Sequence, residues 1–201
     1  MLTKLRRNRW IYIERKRIRK KIESTNNPKI IIGAGTTNYK DWIKSDYPFF
    51  DITSDQHWEY LFAKRKANKI LCEHVLEHFT PEDNEIILRK VYNHLDINGS
   101  IRIAVPDKNH PDKRYIDYVK PGGQGDGSDD HKSFWDHESY STLLKNIGFD
   151  VKLLEYCDKS GEIHQSKYDL KNGIVNRSLS YDFKGNVANY SSLILDAVKV
   201  K

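Results

Sequence analysis

The residues Gly33-Ala34-Gly35 have the composition and the position of a ligand-binding turn. They follow residues 29–32, a short isoleucine-rich run typical of a strand buried on both faces of a parallel sheet. Two glycines let the backbone adopt positive φ and approach a ligand closely. Asp46, eleven residues after Gly35, could accept hydrogen bonds from both hydroxyls of a ribose. This combination predicts a nucleotide-like ligand at the carboxyl end of the strand.

The same turn also has a simpler interpretation, as an ordinary turn that ends a strand, and taken alone it favours neither. The third glycine of a Gly-x-Gly-x-x-Gly sequence is missing, and no Gly-Lys-Ser/Thr sequence follows. The chain therefore carries neither the dinucleotide-binding fingerprint nor a P-loop.

The composition favours one domain of ordinary size. The chain has 201 residues, of which 38% are hydrophobic, and a mean hydropathy of −0.74. No apolar run approaches the length of a membrane span, and none follows the basic N-terminus as in a secretory signal. Cys72 and Cys157 lack the spacing of metal ligands, so we expect free thiols in a reducing, cytoplasmic setting.

The positive charge is concentrated in an N-terminal arm. Residues 1–23 hold ten Lys/Arg and two Glu, a net charge of +8, so the rest of the chain carries −2 of the total of +6. We expect a basic helical arm with its linker over residues 1–27 and the main domain over residues 28–201. The helix could dock one apolar edge on the domain, or contact an anionic membrane surface, a nucleic acid or a partner protein.

Beyond the arm, strands and helices alternate. The patterns predict a helix over 55–67, a strand over 69–72, a helix from Thr80-Pro81 to near Asn98-Gly99, and strands and helices over 101–105, 138–147, 151–156 and 192–200. Residues 108–130 contain no long periodic segment. This order predicts an α/β domain with a mainly parallel sheet and helices on both faces.

Four blocks in this order resemble the class I S-adenosylmethionine (SAM)-dependent methyltransferases. The blocks are IIIGAG at 30–35, LCEHVLEHF at 71–79, LDINGSIRIAVPD at 95–107, and HKSFWDHESY with LLKNIGF at 131–149. The LEH and VPD sequences are similar to those of a small branch that is often associated with glycan modification. The resemblance covers about residues 29–201 and leaves out the basic arm.

The resemblance implies a Rossmann-like sandwich with a seven-stranded, mainly parallel sheet whose last strand is antiparallel. It implies SAM as cofactor and S-adenosylhomocysteine as product. The residues implied at the cofactor are Gly33, Ala34, Gly35 and Thr36 at the turn, Asp46 at the ribose, Asp51 or Asp55 near the adenine, and Glu73 and His74 at the end of the fourth strand. Leu76, Glu77 and His78 are expected to be structural.

Methyl transfer to a hydroxyl needs a base at the mouth of the pocket. The candidates follow the predicted strand ends and the acidic loop: Asp107, His110 and His131. We prefer His131 as the base, with Asp107 orienting the substrate or the base. The acidic loop at 126–131 could also hold a divalent cation, but such loops are more often merely solvated, so no metal is expected.

The acceptor is inferred from what the strand end lacks. It reads Val105-Pro106-Asp107 and not Asn/Asp-Pro-Pro-Tyr/Phe, the pattern of the branches that methylate planar nitrogens, which favours oxygen. The leading hypothesis is therefore O-methylation of a sugar or glycan hydroxyl. The alternatives are an RNA or protein methyltransferase that grips its substrate with the basic arm, and a catalytically inactive cofactor-binding partner module.

Overall fold

The structure, a computed structural model, describes residues 2–181, 183–184, 187–188 and 192–201. Its helices are α1 (Leu2–Ser24), α2 (Asp55–Phe62), α3 (Pro81–His94), α4 (Lys113–Val119) and α5 (His137–Ile147). Its strands are β1 (Lys29–Ile32), β2 (Ile43–Lys44), β3 (Ala67–Glu73), β4 (Leu95–Val105), β5 (Phe149–Cys157), β6 (Ile163–Gln165), β7 (Phe183–Lys184), β8 (Val187–Ala188) and β9 (Leu193–Lys199). Short 3₁₀ turns occupy Leu76–His78, Ser128–Asp130 and Leu170–Asn172.

Seven strands form one sheet in the order β2-β1-β3-β4-β9-β5-β6, and β7 pairs with β8 separately. The pairs β1–β2, β1–β3 and β3–β4 are parallel, whereas β9 runs antiparallel to β4 and β5. The expected seven-stranded, mainly parallel sheet with an antiparallel last strand is confirmed. Glu73, however, ends the third strand and not the fourth, because residues 45–54 connect β2 to α2 without forming a strand. The sheet still has seven strands, since β6 is added at its other edge.

One face of the sheet carries the helices. Ile30 and Ile32 of β1 belong to the larger core cluster, together with Ile22 of α1 and Trp58 of α2. Helices α3 and α5 add Leu88 and Leu144 to the same cluster. The four longest helices therefore pack against one side of the strands.

The opposite face is covered by irregular chain. Ile31 and Leu71 point to this side and pack in a smaller cluster with Val175, against which Tyr168 lies. The expectation of helices on both faces is therefore wrong for the residues that the structure describes. The segment after β6 is rich in polar residues and glycine, and it crosses the sheet as loops rather than as an amphipathic helix.

Two predicted helices end earlier than expected. Helix α2 ends at Phe62 and not at residue 67, because Ala63 adopts a φ of 48° and the next residues enter β3. Helix α3 ends at His94, where Leu95 begins β4, so the expected end near Asn98-Gly99 is wrong. Tertiary strand pairing overrides the helix propensity of both segments, since Ala67 pairs with Leu95. Helix α4 is an addition, within the segment that lacks a long periodic pattern.

Helix α1 docks on the domain along one edge. Ile18 and Ile22 are buried, and the Trp10 ring meets the edge of Phe49 at 4.7 Å between centroids. The Arg15 guanidinium donates to the carbonyl oxygen of Phe49 at 2.9 Å. Most of the other basic side chains of α1 are exposed to solvent. No helix within the described residues combines the length and the apolar character that crossing a membrane requires.

Candidate active site

The two glycines of the turn after β1 differ in the space around them, since Gly33 packs against a side chain and Gly35 does not. Gly33 has a φ of 65°, and a Cβ built there would lie 2.2 Å from Val75 Cγ2. Gly35 has a φ of 48°, but a Cβ there would meet no atom of the described residues within 4 Å. Gly33 is therefore required by packing against Val75, whereas Gly35 borders open space that a ligand could fill.

Asp46 lies beside this turn, as the sequence predicted. Two backbone hydrogen bonds place it, because Ser45 N donates to Ile31 O at 2.9 Å and Ala34 N donates to Ser45 O at 3.0 Å. The Asp46 carboxylate accepts from Gly35 N at 2.7 Å and from Tyr47 N at 2.8 Å. A carboxylate has about four acceptor positions, so lone pairs are left for a ligand hydroxyl.

A cavity of about 230 Å³, here called the turn cavity, lies over the glycine turn. Its lining includes Thr36, Glu73 and His74 from the sequence prediction, with Asn176 and Arg177 from the irregular segment. The Glu73 carboxylate accepts from Arg177 N at 2.9 Å and from Asn176 Nδ2 at 3.1 Å. Glu73 therefore fixes the segment that covers the turn.

His74 has an unusual backbone for a residue with a side chain, with a φ of 52° at the end of β3. This conformation is disfavoured for residues other than glycine, and such residues concentrate at functional sites. Two contacts hold its ring: Nδ1 donates to Glu77 Oε1 at 2.9 Å, and Nε2 lies 3.0 Å from Ser192 Oγ. Burial would raise the pKa of Glu77, but the His74 hydrogen bond and charge lower it below its ordinary value overall.

A second cavity of about 320 Å³, here called the histidine cavity, adjoins the first, since His74 and Arg177 line both. Glu77, His78 and His131 face it from two different segments, with Tyr118, Asp126 and Ser128 among the other lining residues. One cavity thus lies at the glycine turn, and its neighbour carries imidazole and carboxylate groups.

His131 has a fixed tautomer in this cavity. Its Nδ1 lies 2.7 Å from Val119 O, and a carbonyl oxygen can only accept, so Nδ1 carries the proton and Nε2 is the basic nitrogen. The ring packs edge to face on His78, with 4.8 Å between centroids. The structure therefore brings His131 together with His74 and Glu77, which the sequence separates by more than 50 residues.

Comparison with protein-family models and with curated protein sequences found no match. Comparison with solved structures found a SAM-dependent methyltransferase from Archaeoglobus fulgidus, with 16% identity, 94% of each chain covered and a TM-score of 0.53. The chain has a class I methyltransferase fold. A possible histamine N-methyltransferase from Thermotoga maritima is similar at 12% identity, with 96% of this chain and 94% of that chain covered and a TM-score of 0.50. An O-methyltransferase family protein from Burkholderia thailandensis is similar at 7% identity, with 94% and 57% covered and a TM-score of 0.52.

Within this methyltransferase fold, the two candidates for the adenine position separate. Asp51 lines a small cavity of about 90 Å³ with Asp46, Val75 and Phe79. Asp55 lies outside that cavity, at the exposed start of α2, where it pairs with Lys90. Asp51, and not Asp55, therefore shares a cavity with Gly33 and Asp46.

Asp107 and His110 do not line the two cavities, although Pro106, next to Asp107, lines the histidine cavity. Asp107 is 0% exposed, and its carboxylate accepts from Asn109 N and from Cys157 N, both at 2.8 Å. The His110 ring stacks on Tyr115 at 3.9 Å between centroids, and its Nδ1 accepts from Asp112 N. Asp107 is thus buried and holds the loop after β4 against the end of β5, and its role in orienting the substrate or the base stays a prediction.

Sequence reasoning missed two groups at this site. Asn176 and Arg177 come from a segment without periodicity, and no local signal connects them to Glu73, more than 100 residues earlier. Glu77 and His78 were assigned a structural role as helix-start residues, yet both line the histidine cavity. Their polar character beside the strand end was the available signal.

Proposed function

We propose that this protein is a SAM-dependent methyltransferase that methylates a hydroxyl group of a sugar or glycan. The observation that carries the proposal is the adjacency of the two cavities, which share His74 and Arg177. The turn cavity lies over the glycine turn, where Gly35 N also holds the Asp46 carboxylate proposed for the ribose, and the histidine cavity has a basic nitrogen for a hydroxyl proton. A methyl donor and its acceptor need two such neighbouring places.

The residues at the turn fit the cofactor. The open space at Gly35 admits a ligand against the backbone, and Asp46 has lone pairs left for the two ribose hydroxyls. The small cavity at Asp51 and Phe79 suits the adenine, and Glu73 and His74 border the methionine part. When bound, SAM supplies a methyl group activated by its bond to a positively charged sulfur.

The protein must then align the acceptor and remove its proton. Holding two reactants in a productive geometry can lower a barrier by roughly 7–11 kcal/mol. His131 Nε2 is the proton acceptor in this proposal, since Nδ1 is already committed to Val119 O. Polar groups at Asp126, Ser128 and Arg177 would bind neighbouring hydroxyls, and the Tyr118 ring would offer a face to a sugar.

The test is methyl transfer from labelled SAM to a panel of glycosides and to RNA. We expect label on a glycoside, and we expect His131→Ala to abolish transfer while S-adenosylhomocysteine still binds. His164→Ala is the matched control, because His164 pairs with Asp158 on the β5–β6 hairpin away from both cavities. Label on RNA alone would reject the sugar assignment, and cofactor binding without transfer to any substrate would favour an inactive module.

A second function, methylation of RNA or another polyanion, is favoured by one observation. A cavity of about 700 Å³ is lined by Arg17, Lys20 and Lys21 of α1, by Lys44 and by Asp46. A polyanion on α1 would thus run close to the cofactor. Its test is Lys20→Glu with Lys21→Glu, which should weaken RNA binding and its salt dependence but leave transfer to a sugar unchanged. Deleting α1 is unsuitable, because Ile18 and Ile22 are buried.

A further inference from the structure

Three metal-ligating side chains meet in the histidine cavity. Glu77 and His78 come from the 3₁₀ turn after β3, and His131 comes from the loop before α5. One candidate ligand atom from each residue lies within 4.8 Å of the others. The ligands of a Zn²⁺ ion lie about 2.0–2.2 Å from the metal, so side-chain movements on the order of 1 Å would bring these three atoms to one ion.

Two of the polar atoms in this cluster are buried without a hydrogen bond. The Glu77 side chain is 2% exposed; its Oε1 accepts from His74, but Oε2 has no partner among the described residues. His78 Nδ1 likewise makes no hydrogen bond within the described chain, although Asp130 Oδ2 lies 3.4 Å from it. Leaving such groups unpaired is costly, and folded proteins rarely do so without a functional reason. A cation in the cavity would satisfy the Glu77 carboxylate.

The surrounding contacts orient the cluster in the way that metal ligands are oriented. Ligating histidines usually donate their second ring N–H to a carbonyl or carboxylate, and ligating carboxylates are themselves hydrogen-bonded. His131 Nδ1 donates to Val119 O, which turns Nε2 toward the cavity as a free ligand. Glu77 is held by His74, and Asp130 Oδ2 lies 3.4 Å from His78 Nδ1.

Backbone hydrogen bonds join the two segments that supply the ligands. Lys132 N donates to Glu77 O at 2.7 Å, and Ser133 N donates to the same oxygen at 3.1 Å. The Asn84 side chain donates to Leu76 O at 2.9 Å and so fixes the 3₁₀ turn from α3. The backbone segments that carry the proposed ligands are therefore fixed to each other by hydrogen bonds.

We propose that Glu77, His78 and His131 bind one divalent transition-metal ion, Zn²⁺ or Mn²⁺, with an open coordination position toward the histidine cavity. Two imidazoles and one carboxylate form a donor set that suits such ions, and three protein ligands leave room for an exchangeable one. Its role in catalysis rests on the proposed function. With an ion bound, His131 Nε2 would be a ligand and would no longer be the proton acceptor. The ion would instead make the acceptor hydroxyl acidic, and the hydroxyl proton would pass to solvent.

A second cluster of possible ligands, Asp158, Glu162 and His164, supplies the comparison. Its groups are already paired: His164 Nε2 lies 2.8 Å from Asp158 Oδ2, and the other oxygen of Asp158 accepts from Ser160 and from Glu162 N. This cluster therefore lacks the unsatisfied atoms of the first, and its histidine serves as a control.

In the experiment, the full chain is first treated with a chelator and then titrated with Zn²⁺ and, separately, with Mn²⁺. Calorimetry measures the affinity, and native mass spectrometry counts the bound ions. We expect one ion per chain for at least one of the two metals. His131→Ala and His78→Ala should weaken binding by at least roughly 100-fold, beyond the loss typical of an outer-shell change, and Asp130→Asn by roughly tenfold. His164→Ala should bind as tightly as the unchanged protein, and circular dichroism checks that each variant folds.

The outcomes separate this inference from the proposed function. The metal site is overturned if the unchanged protein binds neither metal. It is also overturned if the His131→Ala and His78→Ala variants bind the metal as tightly as the unchanged protein does. S-adenosylhomocysteine affinity is measured on the same chelated protein, and we expect it to be unchanged. If that ligand binds while the metals do not, the methyltransferase proposal stands without the metal. If an ion binds with the expected dependence on both histidines while S-adenosylhomocysteine does not, the metal site stands and the proposed function fails.

Discussion

The backbone amide of Gly35 donates a hydrogen bond of 2.7 Å to the carboxylate of Asp46. This contact joins the ends of two neighbouring parallel strands, since Gly35 follows β1 and Asp46 follows β2. It fixes the carboxylate beside the glycine turn before any ligand arrives. A group that is oriented in advance loses less conformational entropy when it binds.

The first prediction concerns this carboxylate. Asp46→Ala should weaken S-adenosylhomocysteine binding, because it removes the acceptor for the ribose hydroxyls. Hydrogen bonds to charged groups are worth about 1.5–3 kcal/mol, which corresponds to roughly 10–150-fold in affinity. Calorimetric titration measures the change. Asp55→Ala is the matched control, since Asp55 is an exposed carboxylate paired with Lys90. Equal affinities for the two variants would contradict the assignment.

The second prediction contrasts the two glycines of the turn. Gly33→Ala should lower the free energy of unfolding strongly, because its Cβ would overlap Val75 at 2.2 Å. Gly35→Ala should cost only about 1–2 kcal/mol, the penalty of a left-handed residue, because space surrounds it. The Gly35 variant should nevertheless lose cofactor binding, since its Cβ would occupy part of the open space at the turn that the cofactor is proposed to fill. Urea unfolding and ligand titration of both variants check this, and a Gly35→Ala protein that binds normally would exclude close backbone approach.

The glycine turn and Asp46 show why local sequence signals predicted one part of the candidate site and not the rest. The glycine turn and Asp46 lie within 14 residues of each other, and strand geometry alone places them together. Arg177 lines the turn cavity, and its backbone N–H donates to Glu73, which lies 104 residues earlier in the sequence. Arg177 belongs to a segment without periodicity. His131 was found because it follows the long loop, but its neighbours Glu77 and His78 were not connected to it, since only tertiary structure reveals that contact.

The same distinction explains the fold. The parallel sheet follows from buried isoleucine runs and alternating helices, which the sequence shows directly. The cover of the second face does not follow in this way, because what packs on Leu71 there is an irregular loop that carries Val175 and not a helix. That loop is held by a buried charge, Arg102, in the middle of β4, which a pattern of apolar residues gives no means to predict.

The third prediction follows from that charge. Arg102 donates to Asp196 at 2.8 Å from both Nε and Nη2, and Nη1 donates to the carbonyl oxygen of Asp169 at 3.0 Å. Its guanidinium also lies 4.7 Å from the centre of the Tyr168 ring. Arg102→Met alone should lower the free energy of unfolding by about 3–5 kcal/mol, because it leaves a buried carboxylate unpaired.

The double variant Arg102→Met with Asp196→Leu should lose less stability than the single variant, since no unpaired charge remains. Both should weaken S-adenosylhomocysteine binding, because the anchored loop leads directly to Arg177 at the turn cavity. Urea unfolding and calorimetry measure these effects. A double variant less stable than Arg102→Met would show that the anchoring of the loop outweighs the buried charge.

The fourth prediction concerns the pH dependence of stability. The His94 ring packs on Trp58 at 4.9 Å and on Phe62 at 5.3 Å between centroids. Burial lowers the pKa of His94, although its hydrogen bond to Lys90 O acts in the opposite direction. The unfolded chain therefore binds a proton at a higher pH than the folded one. The stabilisation is complete above about pH 6.5, the ordinary value, and is lost as the pH falls toward the lowered pKa.

Replacing His94 by Phe keeps an aromatic ring in this packing and removes the titration. We expect His94→Phe to flatten the dependence of the unfolding free energy on pH below about 6.5, measured by urea unfolding at a series of pH values. Burial also lowers the pKa of His57, so the double variant His94→Phe with His57→Asn should be flatter still. A His94→Phe profile that runs parallel to that of the unchanged protein would mean that His94 titrates alike in both states. The pH dependence would then have to come from other groups.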